Sequence, residues 1–569
     1  MLKRMIAVIL SLTMIIAALS ACKSKSGPAS PSQDESSEAV GNTLSGDDLA
    51  FQKFPEVVEV HIGQSVSATD TLPEGKSVDN NQYTDYLLEN FNIKVVCDWT
   101  AASGNDYQQK VALCIASNTL PDGMAVPRQY MLKAEKSGQL YDISSLFQQY
   151  ASSQVKTVMD STRGRAYEDV TFDSKQVAIP AVEVETGGVQ VLNIRQDWLD
   201  KYGLEVPRTL KDIENVAKVF MEKKPAGEDT VAIAGPDKNG KCYSDFLDSG
   251  TTSCGFDLAF SANDAYPGFW VTDENDKVSY GSLSGNTRKT IETLADWYAK
   301  GYIDREMGTR DSSIELINSG KVGMYFGAWW MPGYGTGDAY RNDSNANWQS
   351  YPIYTDDNKW NVKMGSTTTG YTIMSKDCTK DQIKAMIIMS NVLLRDESKF
   401  DVSEQPLGFW PIRNLMAPAD ECEYTYHELI DVLDGKKKAE DYAGASSAYK
   451  LLASDVSVVK ETVPGYKTGK QLSVQDFNMD NFGNFQRMYS LLVGDRPYAT
   501  VPADKKVYST VYSQTKTMES KWSNLKAMED EVVMKIITGK SGIDKFDELV
   551  KNWKSEGGDT ITQEVQDLN

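Results

Sequence analysis

Apolar and polar positions along the chain switch repeatedly between a period of two and a period near 3.6. Residues 57–63 (VVEVHIG) alternate and predict a strand; residues 83–91 carry a helical pattern; residues 93–99 predict the next strand. Residues 107–116 again place apolar side chains at helical spacing and lead into a short strand at 123–127. Strand followed by helix, repeated, predicts βαβ units and a largely parallel sheet. Farther on, residues 189–195 predict a strand that runs into the helical stretch 196–203. Thr209 is placed to cap a helix, with Asp212 three residues on and Ile213, Val216, Ala217 and Phe220 along one face. Residues 290–300 predict an amphipathic helix with Gly301 where a terminating glycine belongs. Residues 322–330 and 370–375 read as strands, 381–394 as a helix capped by Thr379, and 522–538 and 543–554 as C-terminal helices closed by Gly557-Gly558.

The N-terminal pattern differs. Lys3 and Arg4 precede an apolar run over residues 5–19, followed by Leu19-Ser20-Ala21-Cys22. A short positive start, an apolar core and small residues at a cleavage point describe a secretory signal peptide over residues 1–21. The run is shorter than the roughly 20 residues a spanning helix needs. The Leu-Ser-Ala-Cys tetrapeptide resembles the lipobox of bacterial lipoproteins, which implies that Cys22 is acylated and anchors the chain to a bilayer. Two acyl chains on one residue give stable anchoring. Residues 22–50 are rich in Ser, Gly, Pro, Asp and Glu and lack aromatic residues beyond Cys22. Such a segment buries too little apolar surface to offset its ordering entropy, so a flexible tether is expected.

The formal charge of the whole chain is −21, and loss of Lys3 and Arg4 takes it to −23. An acidic body argues against nucleic acid and against broad contact with anionic lipid. Six cysteines remain after Cys22 (Cys97, Cys114, Cys242, Cys254, Cys378 and Cys422) with no CxxC pair, so nothing supports a zinc site. Free buried thiols and disulfides are both compatible with an exported chain. Only His61 and His427 are present, which leaves little for metal binding or for acid–base catalysis near neutral pH. Gly235 to Lys241 fits G-x-x-x-x-G-K, but Cys242 stands where a phosphate-binding loop needs Ser or Thr, and a polar turn is the better reading.

Several stretches together resemble the large saccharide-binding lipoproteins of ABC importers, within the family 1 extracellular solute-binding proteins. Ala116-Ser117-Asn118-Thr119-Leu120-Pro121-Asp122 is similar to the A-S-G-D-x-P-D turn of that family. Asn193 to Asp200 (NIRQDWLD), Pro207-Arg208-Thr209-Leu210, Trp297 to Asp304 (WYAKGYID) and Gly320 to Met324 (GKVGM) resemble further motifs in the same order. Ile543 to Asp547 and Gly557-Gly558-Asp559 resemble the closing helix. The calcium-type loop often found after the P-x-T helix is replaced by KKPAGED at residues 223–229, which offers too few oxygen ligands for a Ca²⁺ cage. The resemblance implies a type II periplasmic-binding-protein-like α/β fold, two α/β lobes joined by crossing hinge strands. Residues 51–183 and 366–410 are expected in lobe one, and residues 184–365 and 411–569 in lobe two. It further implies hinge closure on a ligand held between the lobes.

A saccharide presents hydroxyls at its edge and C–H patches on its faces, so a site needs flat rings together with carboxylates, amides or guanidinium groups. Trp329 and Trp330 follow the 322 strand, where ligands gather in α/β folds, and at least one is expected to face the cleft. Trp99 ends the second strand in the same way; Arg128 and Gln129 follow the 123 strand; Glu183 lies at the first lobe crossing. Arg195, Trp270 and Tyr371 complete the candidate set, with Arg195 equally able to pair with Asp197 as structure. No metal or cofactor is expected.

The expected activity is capture of a carbohydrate, without catalysis, by a monomer on the outer face of the cytoplasmic membrane. Its partners would be ABC permease subunits, and the lipid bilayer through acylated Cys22. Three alternatives remain, one of them a binder of peptides or another solute. A secreted glycoside hydrolase would need a carboxylate pair at defined separation, and a sensor would pass ligand occupancy to a membrane kinase.

Overall fold

The computed structural model describes residues 46–568 except 68–69, 248–252, 415 and 443–446. The signal segment 1–21, Cys22 and most of the tether lie outside the described residues. Residues 47–50, expected in the tether, form the helical turn Asp47–Ala50 on the body. Its Ala50 is fully buried, Asn391 donates to the Ala50 carbonyl (2.8 Å), and Asp47 accepts from Ser153 N (2.7 Å) and Oγ (2.6 Å).

Two separate sheets organise the body. The first has five strands in the order Ile93–Ala102, Val58–Val66, Gly123–Val126, Thr368–Met374, Ala178–Val182. Val58–Val66 pairs in parallel with Ile93–Ala102 (Val60 opposite Val95) and with Gly123–Val126 (Ile62 opposite Gly123). Thr368–Met374 runs antiparallel to both its neighbours, with Tyr371 opposite Val126 and Thr372 opposite Ile179. The reason is its origin. It enters from the lobe crossing and runs away from it, whereas Gly123–Val126 and Ala178–Val182 run towards it. One face of this sheet packs on the helix Lys380–Asp396 through Met386, Ile387 and Val392; the other packs on Val111, Met131 and Ala134 of flanking helices.

The second sheet follows the order Trp348–Tyr351, Val191–Arg195, Val322–Gly327, Val231–Ile233. Only Val322–Gly327 and Val231–Ile233 are parallel; the other two pairings are antiparallel. The expectation of largely parallel sheets therefore fails here, for the same reason: Val191–Arg195 leads away from the crossing while its neighbours return to it. Val191–Arg195 and Val322–Gly327 are buried at every residue, as strands covered on both faces must be.

Local signals act as their chemistry requires. Thr209 with Asp212, and Thr379 with Gln382, form reciprocal capping boxes on Leu210–Lys223 and Lys380–Asp396. Gly301 takes a left-handed φ of 79° after the helix Gly285–Ala299. Gly557, by contrast, does not end the helical region: it kinks the chain at φ 128° and the helix Asp559–Gln566 follows. A third group of helices, Glu421–Leu433, Leu452–Thr462 and Phe482–Tyr489, packs against the second sheet, where Tyr489 donates to the Trp348 carbonyl (2.5 Å). The six described cysteines are free thiols. No described helix is long and apolar enough to cross a membrane.

Candidate functional site

Three chain segments connect the sheets side by side. Glu183 N donates to the Thr367 carbonyl (3.1 Å), Ala417 N to the Val182 carbonyl (2.9 Å), and Glu185 N to the Ala419 carbonyl (2.7 Å). Glu185 also bonds Lys506 (2.9 Å) and Tyr508; although burial works against it, these hydrogen bonds hold its carboxyl below the usual range.

A cavity of about 310 Å³ opens beside this crossing. Its floor is the carboxyl end of the first sheet. Pro127, Arg128 and Gln129 follow Gly123–Val126, and Thr368, Thr369 and Tyr371 belong to the antiparallel strand beside it. Gln108 adds an amide from the helix Asn105–Ser117, with Gln129 Nε2 3.5 Å from its Oε1. The facing wall comes from elsewhere in the chain: Phe246 and Leu247, and Tyr512, Ser513 and Gln514. Two further contacts join neighbouring stretches of the same chain segments. Lys133 pairs with Glu519 (2.7 Å), and the Arg165 guanidinium lies 3.1 Å from the Tyr508 ring centre. Larger cavities occur around Trp360 and His427 (about 620 Å³) and along Glu183, Arg413 and Lys450 (about 420 Å³). The smaller one is preferred because it lies beyond the carboxyl ends of the parallel strands, where α/β sheets hold ligands.

Of the residues expected from sequence, Arg128, Gln129 and Tyr371 meet in this cavity. Glu183 accepts from Thr369 Oγ1 (2.9 Å), which puts its carboxylate beside one lining residue. Arg128 is not a free cation. Its guanidinium donates to Asp169 Oδ1 and stands 3.4 Å from the Tyr371 hydroxyl; Asp169 Oδ2 accepts from Tyr371 (2.5 Å) and from Thr368. Trp99 lies on the same side of the first sheet, half-buried. A side chain at Gly63 would put its Cβ 2.2 Å from the Trp99 ring, so the glycine makes room for the indole. Tyr107 (5.6 Å between ring centres) and Lys110 (5.6 Å) flank it.

The other expected residues are elsewhere. Trp329 is 8% exposed, and its carbonyl would lie 1.9 Å from a Cβ at Gly494. Trp330 is part-buried on the same helical cluster, where its carbonyl accepts from Ser490 (2.9 Å). Neither is among the residues lining the cavity. Arg195 is 3% exposed and held by Asp197 (2.8 and 2.6 Å) and Asp343 (3.2 Å), which is the structural role weighed for it. Trp270 is fully buried among Tyr280, Trp522 and Trp553, with ring centres 4.9 to 6.4 Å away, and is core.

Sequence reasoning missed Gln108, Asp169, Thr368, Thr369 and the Tyr512–Gln514 wall. The hydroxyl- and amide-rich run VYSTVYSQT at 507–515 was the available signal for the last. The lining offers amides, hydroxyls and aromatic edges with one charged side chain, already paired. That set suits a ligand with many hydroxyls. Among the described residues no group of three or more His, Cys, Asp or Glu side chains is arranged to hold a metal ion.

Comparison with known proteins agrees with this architecture. No family model matches the chain. It is 24% identical over 229 residues to the polygalacturonan/rhamnogalacturonan-binding protein YtcQ of Bacillus subtilis, covering 39% of this chain and 41% of that protein. It is 24% identical over 244 residues to the fructooligosaccharide ABC transporter substrate-binding protein FusA of Streptococcus pneumoniae, covering 40% and 43% of the two. The chain thus aligns with less than half the length of these curated relatives. Among solved structures, an HMO-binding ABC-transporter-associated solute-binding protein from Bifidobacterium longum infantis superposes over 90% of this chain and 99% of its own. The TM-score is 0.55 at 15% identity. The fold is that of the periplasmic solute-binding proteins, two α/β lobes joined by crossing strands.

Proposed function

We propose that this protein is an extracytoplasmic solute-binding lipoprotein of the family 1 type, which captures a carbohydrate between its lobes and delivers it to an ABC permease. Residues 51–183 with 366–410 act as one jaw and residues 184–365 with 411–569 as the other. Cys22 carries the acyl anchor, and the body works as a monomer without catalysis.

The observation that carries this reading is the composition of the interlobe cavity. Gln108 and Gln129 reach it from one lobe and Ser513 and Gln514 from the other, with Tyr512 and Phe246 supplying aromatic surface. Groups on both lobes must touch the ligand for closure to be favoured, because a ligand shifts the equilibrium only by its preference for the closed state. Arg128, Gln129, Glu183 and Tyr371 form the near side of the site, and Trp99 extends it along the sheet. Trp329 and Trp330, Arg195 and Trp270 support the fold around it.

Calorimetric titration of the chain from Lys23 onward against an oligosaccharide panel tests the proposal. At least one glycan is expected to bind and to be recovered uncut. Gln129→Ala and Gln514→Ala, one on each side, should each weaken that binding by about tenfold, the loss expected of a buried hydrogen bond. Cleavage of the glycan, or binding indifferent to both substitutions, would refute it.

A further inference from the structure

We infer that Asp169 sets the charge selectivity of the cleft: by neutralising Arg128, it makes the site one for uncharged oligosaccharides rather than for uronates. The inference rests on the carbohydrate reading above and deepens it.

Among the described residues Arg128 is the one cationic side chain lining the cavity. A guanidinium at the mouth of a sugar site would ordinarily favour a carboxylate-bearing ligand through a paired, charge-assisted contact. Here that capacity is already used. Asp169 Oδ1 takes the guanidinium, while Oδ2 takes the hydroxyls of Tyr371 (2.5 Å) and Thr368. The two side chains of the ion pair are 26% and 20% exposed, so water screens them only in part.

Asp169 is also held in place. It closes the short helix Arg165–Glu168, where its backbone N donates to the Arg165 carbonyl (3.0 Å), and Tyr371 is itself fixed in the sheet opposite Val126. A ligand carboxylate would have to displace a carboxylate that is already oriented by three donors. Otherwise it must sit close to it, and like charges at short range in a partly desolvated site repel strongly.

Among the described residues no second cation lines the cavity itself; Lys110 lies outside that lining, over the Trp99 ring. The groove on the other side of the ion pair contains Arg128 and Arg165 with Glu168 and Asp169, so its charges cancel, and Arg165 is stacked on Tyr508. The net charge of −21 further disfavours an approaching anion.

The test uses the chain from Lys23 onward, which contains all of the compact unit Ser45–Asn569. Neutral fructo-, gluco- and galacto-oligosaccharides are titrated beside oligogalacturonides of matched length. The wild type should bind its best neutral glycan at least about tenfold more tightly than any oligogalacturonide, with an affinity that salt leaves nearly unchanged. Asp169→Asn should raise oligogalacturonide affinity by about tenfold or more, and do so most at low salt. The uncharged pair Arg128→Gln with Asp169→Asn should lose that gain, and both variants are first checked for a cooperative melting transition. Oligogalacturonide binding by the wild type as tight as neutral binding overturns the inference while leaving the carbohydrate reading standing. No gain in a folded Asp169→Asn variant overturns it too. Binding of neither glycan class overturns both.

Discussion

Lys363 offers the sharpest test of how the far wall of the cleft is built. It lies in the strand Asn361–Met364, and its side chain is 3% exposed. Its ammonium donates to Asp257 Oδ1 (2.7 Å) and to the carbonyls of Ser244 (2.5 Å) and Pro267 (2.6 Å), and it stands 4.5 Å from the Phe269 ring centre. Burial pushes the Lys363 ammonium below its usual value, opposed by the Asp257 charge. The lysine thus ties both ends of the loop that carries Phe246 and Leu247 into the cavity. Lys363→Met keeps the length and apolar stem but takes the counter-charge from a buried carboxylate, which still accepts from Ser244 N (2.9 Å), and a donor from two carbonyls. Breaking a buried ion pair in this way costs about 3–5 kcal/mol. With a urea dependence of roughly 3 kcal/mol per molar, the midpoint should fall by about 1–1.7 M. Trp270, Trp522 and Trp553 lie in the core that Phe246 joins, so tryptophan fluorescence reports this part of the molecule. The transition near these tryptophans is the one to follow, because a two-lobe protein need not unfold in one step. The double variant Asp257→Asn with Lys363→Met should lose clearly less than the two single losses combined, since each partner is harmful chiefly when left alone. A midpoint shift below about 0.3 M for Lys363→Met, or strict additivity, would refute the reasoning.

Two further outcomes are expected. Arg195→Met should destabilise the second lobe by about 2–3 kcal/mol, toward the low end for a buried ion pair because Asp197 and Asp343 are partly exposed (27% and 43%), yet leave glycan affinity within about twofold by calorimetry. Stability should also rise as pH falls from about 7 to about 4.5. Burial, and then the Glu185 and Asp420 charges, push the Glu423 carboxyl up to about 7 from an ordinary 4.5, so over that window the folded chain holds a proton that the unfolded chain has released. Glu423→Gln should flatten the corresponding slope in a melting-temperature series, and an unchanged slope would count against this origin.

What the sequence made legible was whatever depends on near neighbours. The caps at Thr209 and Thr379 are fixed by side chains three residues away, and the strand-end position of Arg128 and Gln129 follows from the apolar run before them. Tyr371 was reachable because the resemblance implies that the chain returns to lobe one at residue 366. Aromatic roles were not reachable in this way. A tryptophan at a strand end can face ligand or core, and Trp329 is 8% exposed, with Gly494 close against its carbonyl from 165 residues along the chain. Trp270 is likewise claimed by Trp522 and Trp553, near the far end of the sequence. Asp169 gave no periodic signal, since it ends a four-residue helix. Residues 395–521 yielded no pattern at all. Their helices Glu421–Leu433 and Leu452–Thr462 interrupt their apolar faces with Glu428 and Asp455, buried polar residues whose partners, Lys437 and Arg487, only the fold supplies.

The same long-range logic ties the missed wall to the crossing segment. Asn361–Met364 pairs in parallel with Lys505–Tyr508, Met364 opposite Tyr508, and the Tyr512 hydroxyl donates to the Met364 carbonyl (2.9 Å). Each strand then runs directly into cavity-lining residues, Ser366 to Thr369 from one and Tyr512 to Gln514 from the other. This two-stranded pair therefore fixes the position of one wall against the segment that crosses between the lobes. Lys363, in the same strand, adds Phe246 and Leu247 to that unit. On the proposed reading one side of the site is preorganised on the crossing itself, and a ligand touching it and the amides of Gln108 and Gln129 would act across the hinge, its binding energy expressed as closure rather than spent ordering a loop.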